Sequence, residues 1–181
     1  MNLADIAIAT ITWARSREDE DLLLRSLTTL TRSGLPVVVA DRGTNEPFLG
    51  SVRSLPCSVE IVARGTLVTQ VQTSIAAAAA LGRPFVCYVE PDKEQFFADH
   101  LLEFFSRAPG GDDVGVAIAA RSPESFRTFP PMQQYTEGVI NELCAVTLGV
   151  DGDYSYGPFI LHRALAARVA EMPPDIGWGW R

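Results

Sequence analysis

Carboxylate side chains follow two apolar segments of this chain, and both segments have the pattern of buried strands. Residues 37–40 (Val-Val-Val-Ala) run into Asp41, and residues 85–89 (Phe-Val-Cys-Tyr-Val) run into Glu90 and Asp92. Short runs of β-branched and aromatic residues are typical of strands covered on both faces of a parallel sheet. Ligands of such sheets bind outside the carboxyl ends of the strands. The three acids are therefore predicted to share one site.

The spacing of these acids favours a nucleotide diphosphate as the ligand. Glu90 and Asp92 are separated by one residue just after a strand, where both can reach the same divalent cation. Mg²⁺ and Mn²⁺ are commonly held by one or two carboxylates together with the phosphates of a substrate. Asp41 is then free to accept a hydrogen bond from a base or a ribose hydroxyl.

Each acid also has a purely structural interpretation. Glu90 could cap the helix that follows, with Asp92 in its first turn, where acidic residues are favoured. Asp41 could form an Asx-turn that only starts a loop. Both interpretations stay open at the level of the sequence.

Three arginines follow predicted strands at the same edge: Arg15, Arg64 and Arg121. A guanidinium binds phosphate oxygens through two parallel hydrogen bonds, so each of them could contact a pyrophosphate. The alternative is a solvated residue at the end of a strand. The Asp-x-Asp sequence at residues 151–153 is interpreted as a turn, because Asp-Gly is above all a turn signal.

Alternating strand and helix patterns must position these residues. Ser16 is a capping signal for a helix with Leu23, Leu27 and Leu30 on one face, and Gly34 with Pro36 ends it. The predicted strands cover residues 5–12, 37–41, 58–62, 85–89, 114–119 and 153–161. The predicted helices cover residues 17–33, 66–81, 94–107, 132–148 and 164–172, with a long loop at 122–131.

In this order, the motifs resemble the nucleotide-binding half of a GT-A glycosyltransferase of the family-2-like group. Asp41-Arg42-Gly43-Thr44 is similar to that family's Asp-Asp-Gly-Ser turn, and Glu90-Pro91-Asp92 stands where the family has Asp-x-Asp. Residues 10–15 lie where the family's first loop borders the nucleotide. Gly177-Trp178-Gly179-Trp180 resembles the family's Gly-Trp-Gly-Trp run. The resemblance implies one Rossmann-like (GT-A) α/β domain, with a mostly parallel central sheet flanked by helices.

The resemblance also implies a function: transfer of a sugar from a nucleotide diphosphate donor to an unknown acceptor. Glu90 and Asp92 would hold Mg²⁺ or Mn²⁺. The tryptophans would stack on a sugar, or alternatively cap the core. The implied substrate-binding residues are Thr12, Arg15, Asp41, Arg64, Trp178 and Trp180. Residues 1–121 would form the donor-binding half of the domain and residues 122–181 the acceptor-side half.

One departure from the family concerns the catalytic base. The family's Gly-Trp-Gly-Trp run precedes a Glu-Asp that carries the base, whereas this sequence ends at Arg181. The protein lacks that base, or the sequence is a fragment, or the reaction retains configuration; all three stay open. Within this chain Asp175 is the expected base. The alternative function is a non-catalytic nucleotide-binding or partner-binding module of the same fold.

The composition limits the possible partners of the protein and its cellular compartment. The net charge is −7 and there is no run of Lys and Arg, which argues against nucleic acid or an anionic membrane surface as a partner. No apolar stretch is long enough to span a bilayer, and no signal peptide is recognised. Three scattered cysteines, Cys57, Cys87 and Cys144, predict free thiols in a reducing compartment. We therefore expect a cytoplasmic protein; the oligomeric state stays open.

Overall fold

The computed structural model describes residues 1–173, and in this part of the chain six strands form one mixed sheet. The strands are β1 (Ile6–Thr12), β2 (Val37–Asp41), β3 (Ser58–Ile61), β4 (Phe85–Tyr88), β5 (Val116–Ile118) and β6 (Phe159–His162). Their order across the sheet is β3-β2-β1-β4-β6-β5. The first four in that order are mutually parallel, and β6 is antiparallel to both of its neighbours. The predicted α/β fold with a mostly parallel sheet is confirmed.

Eight α-helices accompany the sheet within the same residues. They are α1 (Arg17–Thr31), α2 (Glu46–Arg53), α3 (Leu67–Ala80), α4 (Glu94–Asp99), α5 (Leu101–Arg107), α6 (Pro123–Phe126), α7 (Pro131–Leu148) and α8 (Ala166–Ala170). None of these helices combines the length and the apolar composition that a membrane span requires.

The helices form two layers, one on each face of the sheet. Helix α1 begins after Ser16, whose side chain accepts a hydrogen bond from the Asp19 amide, and it buries its predicted leucine face together with α2, α4 and α5. Helix α3 lies on the other face with α8. There β1 presents the small side chains of Ala7 and Ala9, so the alanine-rich helix can pack closely on the sheet.

Several element boundaries differ from the prediction. The single helix expected over residues 94–107 is two helices, because the backbone leaves helical geometry at His100 (φ −127°). The loop expected at 122–131 contains α6, which Ser122 caps by accepting from the Ser125 amide. The strand expected over residues 153–161 is limited to β6, and the last predicted helix is reduced to a 3₁₀ turn followed by α8.

Helix α7 forms as predicted, but its apolar face is not covered. The side chains at helical spacing, Val139, Leu143 and Val146, are 41%, 62% and 80% exposed. The helix ends at Gly149, whose left-handed backbone (φ +71°) is a favourable C-terminal cap.

The three cysteines are free thiols, as predicted. Cys87 is fully buried, and burial raises its pKa.

Candidate functional site

The predicted site residues come together because of the strand directions. Thr12 lies opposite Asp41 in the pairing of β1 with β2, and β4 runs parallel to β1 on its other side. Since β6 is antiparallel to β4, the segment before β6 approaches the end of β4. We call this side of the sheet the carboxyl edge. It collects the ends of β1, β2, β4 and β5 and the start of β6.

Asp41 is fully buried and its carboxylate is saturated by internal hydrogen bonds. Oδ1 accepts from the amides of Gly43 and Thr44, both at 2.7 Å. Oδ2 accepts from the hydroxyls of Thr12 and Thr44, both at 2.8 Å. A carboxylate offers about four acceptor positions, so all of them are used here. The geometry is that of an Asx-turn, and Asp41 and Thr12 contribute by holding the loops after β1 and β2 in place.

A second buried group ties the same loops to helix α3. The side-chain amide of Gln70 donates to the carbonyl oxygens of Thr12 and Ala40, both at 2.6 Å. Thr44 also accepts from the Ala14 amide at 3.3 Å. Gln70 was not among the predicted site residues; its signal in the sequence is an amide on the otherwise buried face of a helix.

A cationic aromatic cluster stands on the loops that Asp41 organises. Trp13 is 45% exposed. The guanidinium carbons of Arg42 and Arg15 lie 4.3 Å and 5.1 Å from its centroid, within cation–π distance. Of these three residues, the sequence predicted a ligand contact for Arg15 only, although Trp13 lies in the loop over residues 10–15 that the resemblance placed beside the nucleotide. Arg64 is exposed beyond the end of β3.

The carboxylates predicted to bind metal follow β4. The side chain of Glu90 is 39% exposed and Asp92 is exposed. Burial raises the pKa of the Glu90 carboxyl; the Lys93 ammonium opposes this rise and the Asp92 carboxylate adds to it. Glu90 does not cap the following helix, because the cap of α4 is Lys93, without a side-chain hydrogen bond.

Lys93 and the segment before β6 complete the surroundings of Glu90. The Lys93 Nζ atom lies 3.1 Å from Glu90 Oε2 and 5.3 Å from the centroid of the Tyr156 ring. Gly157 has φ +104°, and a Cβ at this position would stand 2.6 Å from Glu90 Oε2. A glycine is therefore required here both by the backbone and by the carboxylate beside it. None of these three neighbours was predicted from the sequence.

Arg121 is buried in an ion-pair network beside this group. Its guanidinium donates to Asp153 at 2.7 Å and to Glu137 at 2.6 Å, and the side chain is 3% exposed. Burial opposes ionisation of Asp153, but hydrogen bonds from Arg121 and Asn141 outweigh it and hold the pKa of this carboxyl below its usual range. Arg121 is thus neither solvated nor free for a phosphate; it fastens the segment before β6 to α7.

The donor set fits a magnesium or manganese ion that binds together with phosphates. Among residues 1–173 no three His, Cys, Asp or Glu side chains converge to form a complete protein site. Glu90 and Asp92 are close enough for the charge of one to act on the other. Two carboxylates with open positions for phosphate oxygens are a common arrangement for these ions.

Three predicted residues, Asp175, Trp178 and Trp180, lie outside the described residues. Their roles stay predictions.

The order and directions of the strands, together with the solved structures that share them, confirm the predicted α/β fold of the GT-A type. Solved structures with this fold include glucosyl-3-phosphoglycerate synthase from Mycobacterium tuberculosis with Mn²⁺, UDP and glucosyl-3-phosphoglycerate: TM-score 0.57, 15% identity, 90% of this chain and 58% of that one. The same synthase with Mg²⁺ and UDP gives the same TM-score and identity, over 90% of this chain and 57% of that one.

A further solved structure, described as a mycobacterial protein, aligns with TM-score 0.60 and 16% identity, over 91% of this chain and 58% of that one. The chain thus spans less than two thirds of the solved chains it resembles. No protein-family model and no curated protein matches the sequence. At these identities the similarity demonstrates the fold alone.

Proposed function

We propose that this chain is a glycosyltransferase domain that moves a sugar from a nucleotide diphosphate donor to an acceptor with the help of a divalent metal. One observation carries the proposal: Glu90 and Asp92 stand at the carboxyl edge of a sheet whose solved counterparts hold UDP with Mn²⁺ or Mg²⁺. The two carboxylates at this edge are therefore suited to bind a ligand of the same kind, a nucleotide diphosphate with a divalent ion.

Each group at the edge has a role in this proposal. Glu90 and Asp92 would hold the ion, which when bound would offset the negative charge of the departing diphosphate. Trp13 and the two arginines beside it offer a stacking surface and positive charge for the base or the phosphates. Arg64, exposed beyond the end of β3, would add a further positive charge for the phosphates. Thr12 and Asp41 act through position, because their polar groups are occupied.

The acceptor side of the proposal rests on the sequence. Residues 1–121 carry the donor site and residues 122–181 form the acceptor-side half. Asp175 is the candidate base, and Trp178 and Trp180 are candidates for contact with the sugar.

One observation favours the second candidate, a non-catalytic nucleotide-binding module. Glu90 stands where the resembled family has Asp, and it is already paired with Lys93 at 3.1 Å. A fold can persist after its chemistry is lost.

Calorimetric titration of UDP and of GDP, with Mn²⁺ and with EDTA, tests the donor site. We expect metal-dependent binding of one nucleotide that Asp92→Asn abolishes. Asp112→Asn is the matched control, because it removes the same charge from an exposed residue of another loop. Absence of binding for both nucleotides in the folded protein refutes the proposal. Binding with no release of sugar from the donor, tested with several acceptors, favours the non-catalytic module.

A further inference from the structure

Lys93 is the single lysine among the 15 Lys and Arg residues of the chain. Every other basic position is an arginine. Lysine and arginine differ physically: an ammonium is a compact point charge on a flexible stem, whereas a guanidinium is a planar fork that fixes its partners. The one ammonium side chain of the chain is thus beside the proposed metal ligands.

The contacts of Lys93 explain how it is held. Its ammonium lies 3.1 Å from Glu90 Oε2, and its side chain is 23% exposed. Tyr156 offers a ring face to Lys93 at 5.3 Å and to Arg121 at 5.1 Å. Lys93 is therefore partly enclosed, with solvent access on one side, in contrast to Arg121, which is buried and held by Asp153.

The position of the Lys93 ammonium makes it compete with a divalent ion for the Glu90 carboxylate. Gly157 makes room for the Glu90 carboxylate on one side, since a Cβ there would stand 2.6 Å from Oε2. On the other side the carboxylate pairs with Lys93. A divalent ion that binds Glu90 must therefore displace or repel the ammonium, and two adjacent cations repel each other strongly where water is partly excluded. A diphosphate supplies the anionic oxygens that relieve this repulsion.

We propose that Lys93 is an exchangeable cation: it pairs with Glu90 in the free protein and moves to the donor diphosphate when a divalent ion takes Glu90. This inference rests on the proposed function. It makes Lys93 a positioning residue that couples the binding of the metal to the binding of the diphosphate. The metal frees the ammonium for the diphosphate, and the diphosphate lowers the energy of two cations in one site.

Coupling of this kind has a signature that a structural role cannot reproduce. Binding couplings are reciprocal and typically change affinities by roughly 5- to 150-fold. In Lys93→Met the competitor of the metal is gone, so Mn²⁺ alone binds more tightly, by roughly 5-fold or more. UDP loses its ammonium partner, so in saturating Mn²⁺ it binds more weakly, by roughly 10-fold. The two affinities change in opposite directions.

The experiment measures Mn²⁺ alone, and then UDP or GDP in saturating Mn²⁺, by calorimetry on the full chain. The variants are Lys93→Met, Lys93→Arg and Arg127→Met. Arg127 pairs with Glu124 at 2.9 Å with the same three-residue spacing, and its loss removes the same charge from an exposed pair. We expect Lys93→Arg to retain most of the nucleotide affinity and Arg127→Met to behave as the parent protein. Circular dichroism confirms that each variant is folded.

A spectroscopic measurement follows the lysine itself. Reductive methylation with ¹³C-formaldehyde preserves the charge of a lysine and labels Lys93 and the amino terminus. We expect the Lys93 resonance to shift on addition of UDP with Mg²⁺, and to remain unshifted when UDP is added with EDTA. A resonance that is unaffected by UDP with Mg²⁺ overturns the proposed movement.

Two binding results contradict the inference. If Lys93→Met weakens both Mn²⁺ and nucleotide binding, Lys93 only supports the shape of the site. If Lys93→Met changes neither affinity, the Lys93 ammonium takes no part in the binding of either ligand. Should the parent protein bind neither nucleotide in Mn²⁺, the proposed function fails, while the titration of Mn²⁺ alone still tests the competition for Glu90.

Discussion

Replacement of Asp41 distinguishes a residue that organises loops from one that contacts a ligand. The carboxylate is fully buried and accepts four hydrogen bonds, two from amides and two from hydroxyls. Asp41→Asn keeps one oxygen for the amides, removes the charge, and turns an NH₂ group toward the hydroxyls of Thr12 and Thr44. Asp41→Ala removes every acceptor.

The expected loss of stability follows from these bonds. A hydrogen bond to a charged group contributes about 1.5–3 kcal/mol, against about 1 kcal/mol between neutral partners. In the asparagine variant the two amide bonds weaken by about 1 kcal/mol each, while the hydroxyls can turn to accept from the NH₂ group, so we expect the free energy of unfolding to fall by about 2 kcal/mol. The alanine variant leaves two amides and two hydroxyls without their acceptor, and we expect a fall of at least about 4 kcal/mol.

Urea unfolding followed by circular dichroism measures both values. Asp112→Asn serves as the control, since an exposed substitution of the same kind should stay within about 0.5 kcal/mol of the parent. Nucleotide titration on the same samples completes the assay. If Asp41→Asn is as stable as the control but no longer binds nucleotide, Asp41 has a free acceptor for the ligand and the reasoning from its four bonds is wrong.

Three further predictions address the backbone, the ion pairs and the core. Gly157→Ala should lower the free energy of unfolding by about 1–3 kcal/mol because φ is +104°. Gly138→Ala, at an open position of a helix, should raise it by about 1 kcal/mol. Thermal melts in which both variants shift equally would contradict this prediction. Folding lowers the pKa of Asp153 from its ordinary value of 3.8. The contribution of the Asp153 carboxylate to stability is therefore complete above pH 3.8 and is lost as the pH falls through the lowered pKa of the folded protein. The difference in urea stability between the parent protein and Asp153→Asn should therefore shrink on acidification, and a constant difference would argue against the paired geometry. Leu27→Ala should lower the free energy of unfolding by about 2–5 kcal/mol because Leu27 is 0% exposed. Leu143 is 62% exposed, so Leu143→Ala should lower it by less than about 0.5 kcal/mol. Chemical unfolding of both variants measures this difference.

Local patterns in the sequence determined most of the elements and the edge on which the site lies. The Ser16 cap and the leucines of α1, the apolar run of β2 and the glycine after α3 are signals between neighbouring residues, so they are readable without the fold. Because parallel strands align their carboxyl ends, Asp41 and Glu90 were also predicted to share an edge.

Tertiary structure alone decided what each site residue can do. Whether Asp41 is free depends on Thr12, 29 residues earlier in the chain, and whether Glu90 is paired or crowded depends on Gly157 as well as on its neighbour Lys93. Arg121 was indistinguishable from a solvated strand end until Asp153, 32 residues later, enclosed it. Hydrogen-bond saturation, ion pairing and burial are set by groups that sequence spacing does not bring together, because their proximity arises only when strands pair and helices pack.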